Sequence, residues 1–172
     1  MSITLDGSNL ATVGVINSAT AQASTSGTSI TFSSIPSGVK RITVMFNGVS
    51  TSGSSNLQIQ LGTGSTSYTT SGYSSIYSIL ASATVTTSSA STGFIVSSIG
   101  SSNTYVDGGS IVLVNISGNT WIENGSIAET NATRITKSDG NITLGATLTA
   151  IQVTTVNGTD TFDAGSINIL YE

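Results

Sequence analysis

The chain has 172 residues, long enough for one domain with a sizeable core and too short to require two. Four basic and eight acidic side chains give a net charge of −4, which speaks against nucleic acid, because phosphate binding draws on several Lys or Arg contacts. The absence of cysteine and histidine excludes a disulfide framework, thiolate or imidazole metal sites, and Ser-His-Asp or Cys-His catalysis.

Only 7% of residues are charged, against about one quarter in an average protein. Polarity comes instead from hydroxyls and amides, as in the stretch Ser52–Ser75, which has no ionised side chain. Short clusters of Ile, Val and Leu recur along the whole chain, so the apolar surface suffices to offset the entropy of folding. No run of about 20 apolar residues predicts membrane insertion. The N-terminus MSITLDGSNL lacks the basic and apolar regions of a secretory signal.

In chain order, TSITFSS (Thr28–Ser34) predicts a first strand, and Pro36 marks a loop after it. KRITVMFNGV (Lys40–Val49) is the clearest strand: Ile42, Val44 and Phe46 face one way, Thr43, Met45 and Asn47 the other. Asn47-Gly48 can be a turn or an irregularity within it. Ser50–Ser55 reads as a loop, and NLQIQLG (Asn56–Gly62) as a strand. For Tyr68 and Tyr73, exposed loop and buried anchor stand equally open. SSIYSILASATV (Ser74–Val85) is the best helical stretch, though weakly supported, and Thr86–Thr92 reads as a loop.

GFIVSS (Gly93–Ser98), SIVLVNIS (Ser110–Ser117) and NTWIENGSIAE (Asn119–Glu129) predict further strands, with Trp121 in the core of the last. Gly118-Asn119 suits a hairpin loop between two of them. Asn124-Gly125 predicts a bulge or a turn, and Asp139-Gly140 a hairpin turn. NITLGATL (Asn141–Leu148), AIQVTTV (Ala150–Val156) and SINILYE (Ser166–Glu172) complete the series, with a turn at Asn157-Gly158. About ten short strands with Gly-rich turns predict an all-β fold: a single antiparallel, jelly-roll-like β-sandwich over residues 1–172.

Catalytic motifs are missing, so no cofactor and no metal are expected. Glycoside hydrolysis needs two carboxyls roughly 5 to 9.5 Å apart. Glu123 and Glu129, six residues apart on one predicted strand, would stand about 20 Å apart. Asp160 and Asp163 are close enough in sequence, but their bland reading is local backbone hydrogen bonding at a turn and a strand edge. The five Asn-x-Ser/Thr sequons carry no weight in so Ser/Thr-rich a chain. Lys40-Arg41 suits a strand entry or a subunit ion pair. Tyrosines among hydroxyls and amides make a sugar-binding surface conceivable, with Tyr68, Tyr73, Tyr77 and Tyr105 as candidate receptor-binding residues.

Three segments carry a family resemblance: ITLDGSNLATVGVINSATAQA at the start, IPSGVKRITVMFNGVSTSGSSNLQIQLG followed by TSGYSS, and NGTDTFDAGSINILYE at the end. They resemble a domain of tailed bacteriophages, found in phages of aquatic bacteria, often as the distal part of tail-fibre-type or otherwise unassigned virion proteins. The resemblance implies a β-rich, homotrimeric virion structural protein, made in the host cytoplasm and carried on the particle surface. Its implied partners are further copies of itself, other tail or capsid proteins, and a host cell-surface glycan.

A tail fibre usually opens with an attachment module and a shaft, whereas this chain begins almost at once with the domain signature. That departure opens attachment elsewhere, such as the capsid surface; the leading expectation from the resemblance is nevertheless a non-enzymatic tail-fibre or receptor-binding module. The alternative is a capsid decoration (cement) protein on the phage head. A glycan depolymerase is the third reading, disfavoured by the carboxylate spacing.

Overall fold

The computed structural model describes residues 15–98 and 104–172, and every regular element among them is a strand. In chain order these are β1 (Asn17–Ser18), β2 (Gln22–Ala23), β3 (Ser29–Phe32), β4 (Arg41–Thr51), β5 (Leu57–Gly62), β6 (Ser74–Ala81) and β7 (Thr84–Ala90). They continue as β8 (Phe94–Ser97), β9 (Asp107–Ser117), β10 (Thr120–Glu129), β11 (Arg134–Thr143), β12 (Ala150–Thr155) and β13 (Phe162–Tyr171). The first part of the N-terminal segment of the family resemblance, through residue 14, lies outside the described residues.

All pairings are antiparallel and fall into two sheets. The large one runs β1-β13-β4-β9-β10-β11-β6-β7, with β2 also on β13; the small one runs β3-β12-β5-β8. The two face each other across one core. Ile42, Val44 and Phe46 of β4, Ile111 and Leu113 of β9, and Ile167 and Ile169 of β13 point inward from the large sheet. Ile30, Leu57, Ile59, Leu61, Phe94 and Val153 join them from the small one. The period-2 pattern that predicts β4 thus sets which face is buried, and burying a side chain such as Phe94 contributes about 1.5–3 kcal/mol. Trp121 is buried in this core.

Several local expectations are overturned. Ser74–Val85 is not helical: it forms β6, the two-residue loop Ser82-Ala83 and the start of β7. Thr86–Thr92 is no loop either, since β7 extends to Ala90. Asp139-Gly140 lies within β11, paired with Asn124 and Glu123 on one side and Ile76 and Ser75 on the other. A glycine is needed there because a Cβ at Gly140 would stand 2.6 Å from the Ser74 carbonyl oxygen of β6 and 2.9 Å from the Phe94 ring of the opposite sheet. Asn124-Gly125 is neither bulge nor turn but continuous β10 ladder. The predicted strand Asn141–Leu148 stops at Thr143, and β4 runs on through Thr51 into the predicted loop Ser50–Ser55.

Gly118-Asn119 forms the two-residue loop between β9 and β10, and Asn157-Gly158 lies in the turn after β12. Asn47-Gly48 carries a register shift in β4, with Gly48 at φ 66°.

Candidate functional site

The four candidate tyrosines do not share one surface. Tyr73 is 4% exposed: its ring meets Phe94 edge-on at 4.9 Å, and its hydroxyl accepts the Leu61 backbone N–H at 2.7 Å. Burial pushes its pKa up to about 12, the hydrogen bond from Leu61 offsetting this in part. Tyr73 is therefore the buried anchor of the two alternatives left open, and no receptor can reach it. Tyr77, half-buried on β6, accepts a hydrogen bond from Asn56 Nδ2 at 3.2 Å at the opposite end of β5. Tyr105, also half-buried, lies under the Arg134 guanidinium, 5.0 Å from the ring centroid.

Tyr68 differs. It sits half-exposed in the connection from β5 to β6, where Ser65, Thr66, Ser67, Thr70 and Ser71 are exposed and nothing is charged. An isolated bridge ties it to Gly62, whose missing side chain makes room: a Cβ there would lie 3.1 Å from the tyrosine ring. The Tyr68 hydroxyl donates to the Ser65 carbonyl at 3.5 Å and lies beside the Thr31 side chain, which tempers the upward pKa shift that partial burial imposes.

Thr31 in turn lines a cleft of about 280 Å³ between β2, β3 and the end of β13, together with Gln22, Ser33, Ser34 and Tyr171. Gln22 Nε2 donates to the Thr31 carbonyl across it. Ser34 holds a φ of 61°, in the left-handed region that non-glycine residues rarely adopt. Hydroxyls, an amide, two aromatic residues (Phe32 and Tyr171) and the apolar Ala19, Ile35 and Ile169 line the cleft, and no charge does. That combination suits a neutral polyhydroxylated ligand.

The carboxylates are committed elsewhere. Asp160 accepts the Ser55 N–H at 3.0 Å and Asn157 Nδ2 at 2.7 Å, and Asp163 accepts the Ser50 hydroxyl. Asp139 pairs with Lys137, and Glu172 with Arg41 at 3.5 Å. Lys40, beside Arg41, donates to Asn115 Oδ1 at 2.9 Å.

Glu123, Glu129 and Asp107 are buried between the sheets. Glu129 faces Asp107 across the β9–β10 ladder and pairs with Arg134, Nε to Oε2 at 3.1 Å. Burial raises the Asp107 pKa to about 7; the Ser97 hydroxyl and Arg134 oppose the rise, and Glu129 adds to it. Burial likewise raises Glu123 to about 8 against the Ser138 hydroxyl, and lifts Glu129 against Arg134 and Thr136. Glu123 Oε1 has no hydrogen-bond partner. Groups with such values can suit acid–base catalysis, but these are closed off from any substrate.

Alternation could have located them. Glu123 and Glu129 share the inward parity of Trp121 and Ile127 on β10. The cleft had no comparable signal, because it joins segments more than a hundred residues apart. Among the described residues, no group of three or more acidic side chains could hold a metal ion. Comparisons with protein-family models, curated proteins and solved structures gave no match.

Proposed function

We infer that the chain is a non-enzymatic virion structural protein of the tailed-phage type, acting as a receptor-binding or tail-fibre module that adheres to a neutral host surface glycan. One observation carries the adhesive part: half-exposed Tyr68 stands in an uncharged, hydroxyl-rich loop and reaches Thr31, which lines the cleft of Gln22 and Tyr171. A sugar stacked on the tyrosine face would find hydroxyl and amide partners beside it. The virion assignment rests on the sequence resemblance. Three copies in the proposed homotrimer would turn a weak single-site affinity into avidity.

The jelly-roll part of the reading is supported by strand order. With the hairpins β6–β7 and β10–β11 treated as insertions, and β1 and β2 as one strand, eight strands remain. They run 1-8-3-6 in one sheet and 2-7-4-5 in the other, the order of two interlocked Greek keys. The capsid decoration alternative draws on the exposed apolar side chains Ile76, Leu80, Val85 and Ile135 on the large sheet, which could bury area against a shell.

Binding to an array of bacterial surface polysaccharides and to undecorated capsids separates the two. Adhesion predicts a polysaccharide signal that falls at least about tenfold in Tyr68→Ala, roughly the loss of one stacking contact. Capsid binding with no polysaccharide signal would favour decoration. Release of reducing ends from a bound polysaccharide would overturn the non-enzymatic reading.

A further inference from the structure

The four sheet edges are not treated alike. β1 closes one edge of the large sheet with only two residues. On the small sheet, β3 has four residues, and Gln22 covers its Thr31 carbonyl. The other edge, β8, is fully buried; the Ile95 N–H donates to the Ser75 hydroxyl, and the Ser98 N–H just beyond it donates to Thr136. β7 is different: seven residues, TVTTSSA, six of them exposed, with no charge, no proline and no register shift. Such an edge lacks the devices by which sheets normally avoid pairing with another chain.

The ladder fixes which groups β7 offers. The two-residue loop closes on Ala81↔Thr84, which makes that a hydrogen-bonded pair. Alternation then turns the N–H and C=O of Thr86 and Ser88 toward β6, and those of Val85, Thr87 and Ser89 toward the open edge. A second copy related by a two-fold axis at Thr87 would set Thr87 against Thr87, and Val85 against Ser89 in both directions. Three outward-pointing residues then pair fully, for six backbone hydrogen bonds; a shift by one or two residues forms fewer.

Electrostatics permits the same register. Lys137 is the nearest cation, two strands in from the edge. The two copies' Lys137 side chains would stand five strand spacings apart, about 24 Å, beyond the screening length at physiological salt. Thr87 would meet its own copy as a favourable Thr–Thr cross-strand pair.

We propose that β7 is a self-pairing edge: two copies of this chain join antiparallel through Val85–Ser89, centred on Thr87, and continue the large sheet across the two-fold. This contact is independent of the glycan reading and differs from the three-fold assembly proposed above, so it would join copies from separate trimers. A strand of seven residues buries less than the roughly 1,200 Å² of a stable complex, so the pairing is reversible in dilute solution and favoured where copies are crowded on a particle.

The absence of cysteine from the chain allows a direct test. Thr87→Cys places two thiols about 5.5 Å apart between Cα atoms in this register, within disulfide range. Ser89→Cys leaves its two Cα atoms about 14 Å apart, out of disulfide range. Full-length single-cysteine variants, checked for native circular dichroism, would be oxidised at about 1 mM and run on a non-reducing gel. The expected result is a dimer band forming at least about tenfold faster for Thr87→Cys than for Ser89→Cys, and lost when Val85→Lys is added. Equal rates, a faster reaction at Ser89, indifference to Val85→Lys, or no dimer band would overturn the proposal. The band reports on β7 alone, whatever three-fold contact the chain makes or fails to make.

Discussion

At Tyr73 one hydroxyl ties the connection between β5 and β6 to the core, because it is the acceptor for the buried Leu61 N–H. Tyr73→Phe leaves that donor unpaired, so a loss of about 1–3 kcal/mol is expected in urea denaturation, with polysaccharide binding unchanged. Gly140 is a second fixed point. Gly140→Ala must displace the Phe94 ring and the Ser74 backbone carbonyl and should cost about 1–3 kcal/mol by the same measurement. Sequence could not separate this case from a turn. Asp-Gly is the same dipeptide in a hairpin loop and opposite an aromatic ring, and only packing between the sheets tells them apart. For Tyr73 the neighbouring serines and glycine pointed to a loop, while the partners that bury it, Leu61 and Phe94, lie 12 and 21 positions away.

The β6–β7 hairpin was the least legible element, for a physical reason at each of its parts. Ser82-Ala83 turns the chain without a positive φ, so none of the Asn or Gly signals of a two-residue loop is present. β7 is exposed on both faces and therefore lacks the alternation that reveals a half-buried strand. β4 and β13, each with one buried face, were legible from that alternation alone. The hairpin also makes a prediction of its own. In dilute solution the amides of Val85, Thr87 and Ser89 should exchange hydrogen at least about tenfold faster than those of Thr86 and Ser88, and the gap should narrow as concentration rises. Residue-resolved exchange by NMR at two concentrations would read both effects.

Across the whole molecule, the buried carboxylates set how stability depends on pH. Asp107 and Glu123 keep their protons in the folded state up to about 7 and about 8, against 3.8 and 4.5 as ordinary values. Between those limits the folded state binds more protons than the unfolded one, so stability falls as pH rises. Their contribution is complete below about pH 4 and is lost progressively by about pH 8, on the order of a few kcal/mol for each group. Glu123→Gln should therefore flatten the pH dependence and raise the thermal midpoint at pH 9 by several degrees, at about 2–4 °C per kcal/mol, with little change at pH 4. Differential scanning calorimetry at the two pH values checks the sign.

The all-β class was legible from the strand patterns, because alternation is a local property. The pairing of β13 with β4 and of β12 with β3 joins segments more than a hundred residues apart, and the cleft beside Thr31 exists only through that pairing. A neutral surface was legible from composition, and the virion assignment stands on the sequence resemblance.

The most direct test of that proposal is immunogold labelling of phage particles recovered together with the gene for this chain, with an antibody raised against the folded protein. The account predicts gold confined to the tail end, and gold over the head would instead select the decoration reading. Unlabelled particles, from infected cells in which the same antibody detects the protein, would contradict a virion role altogether.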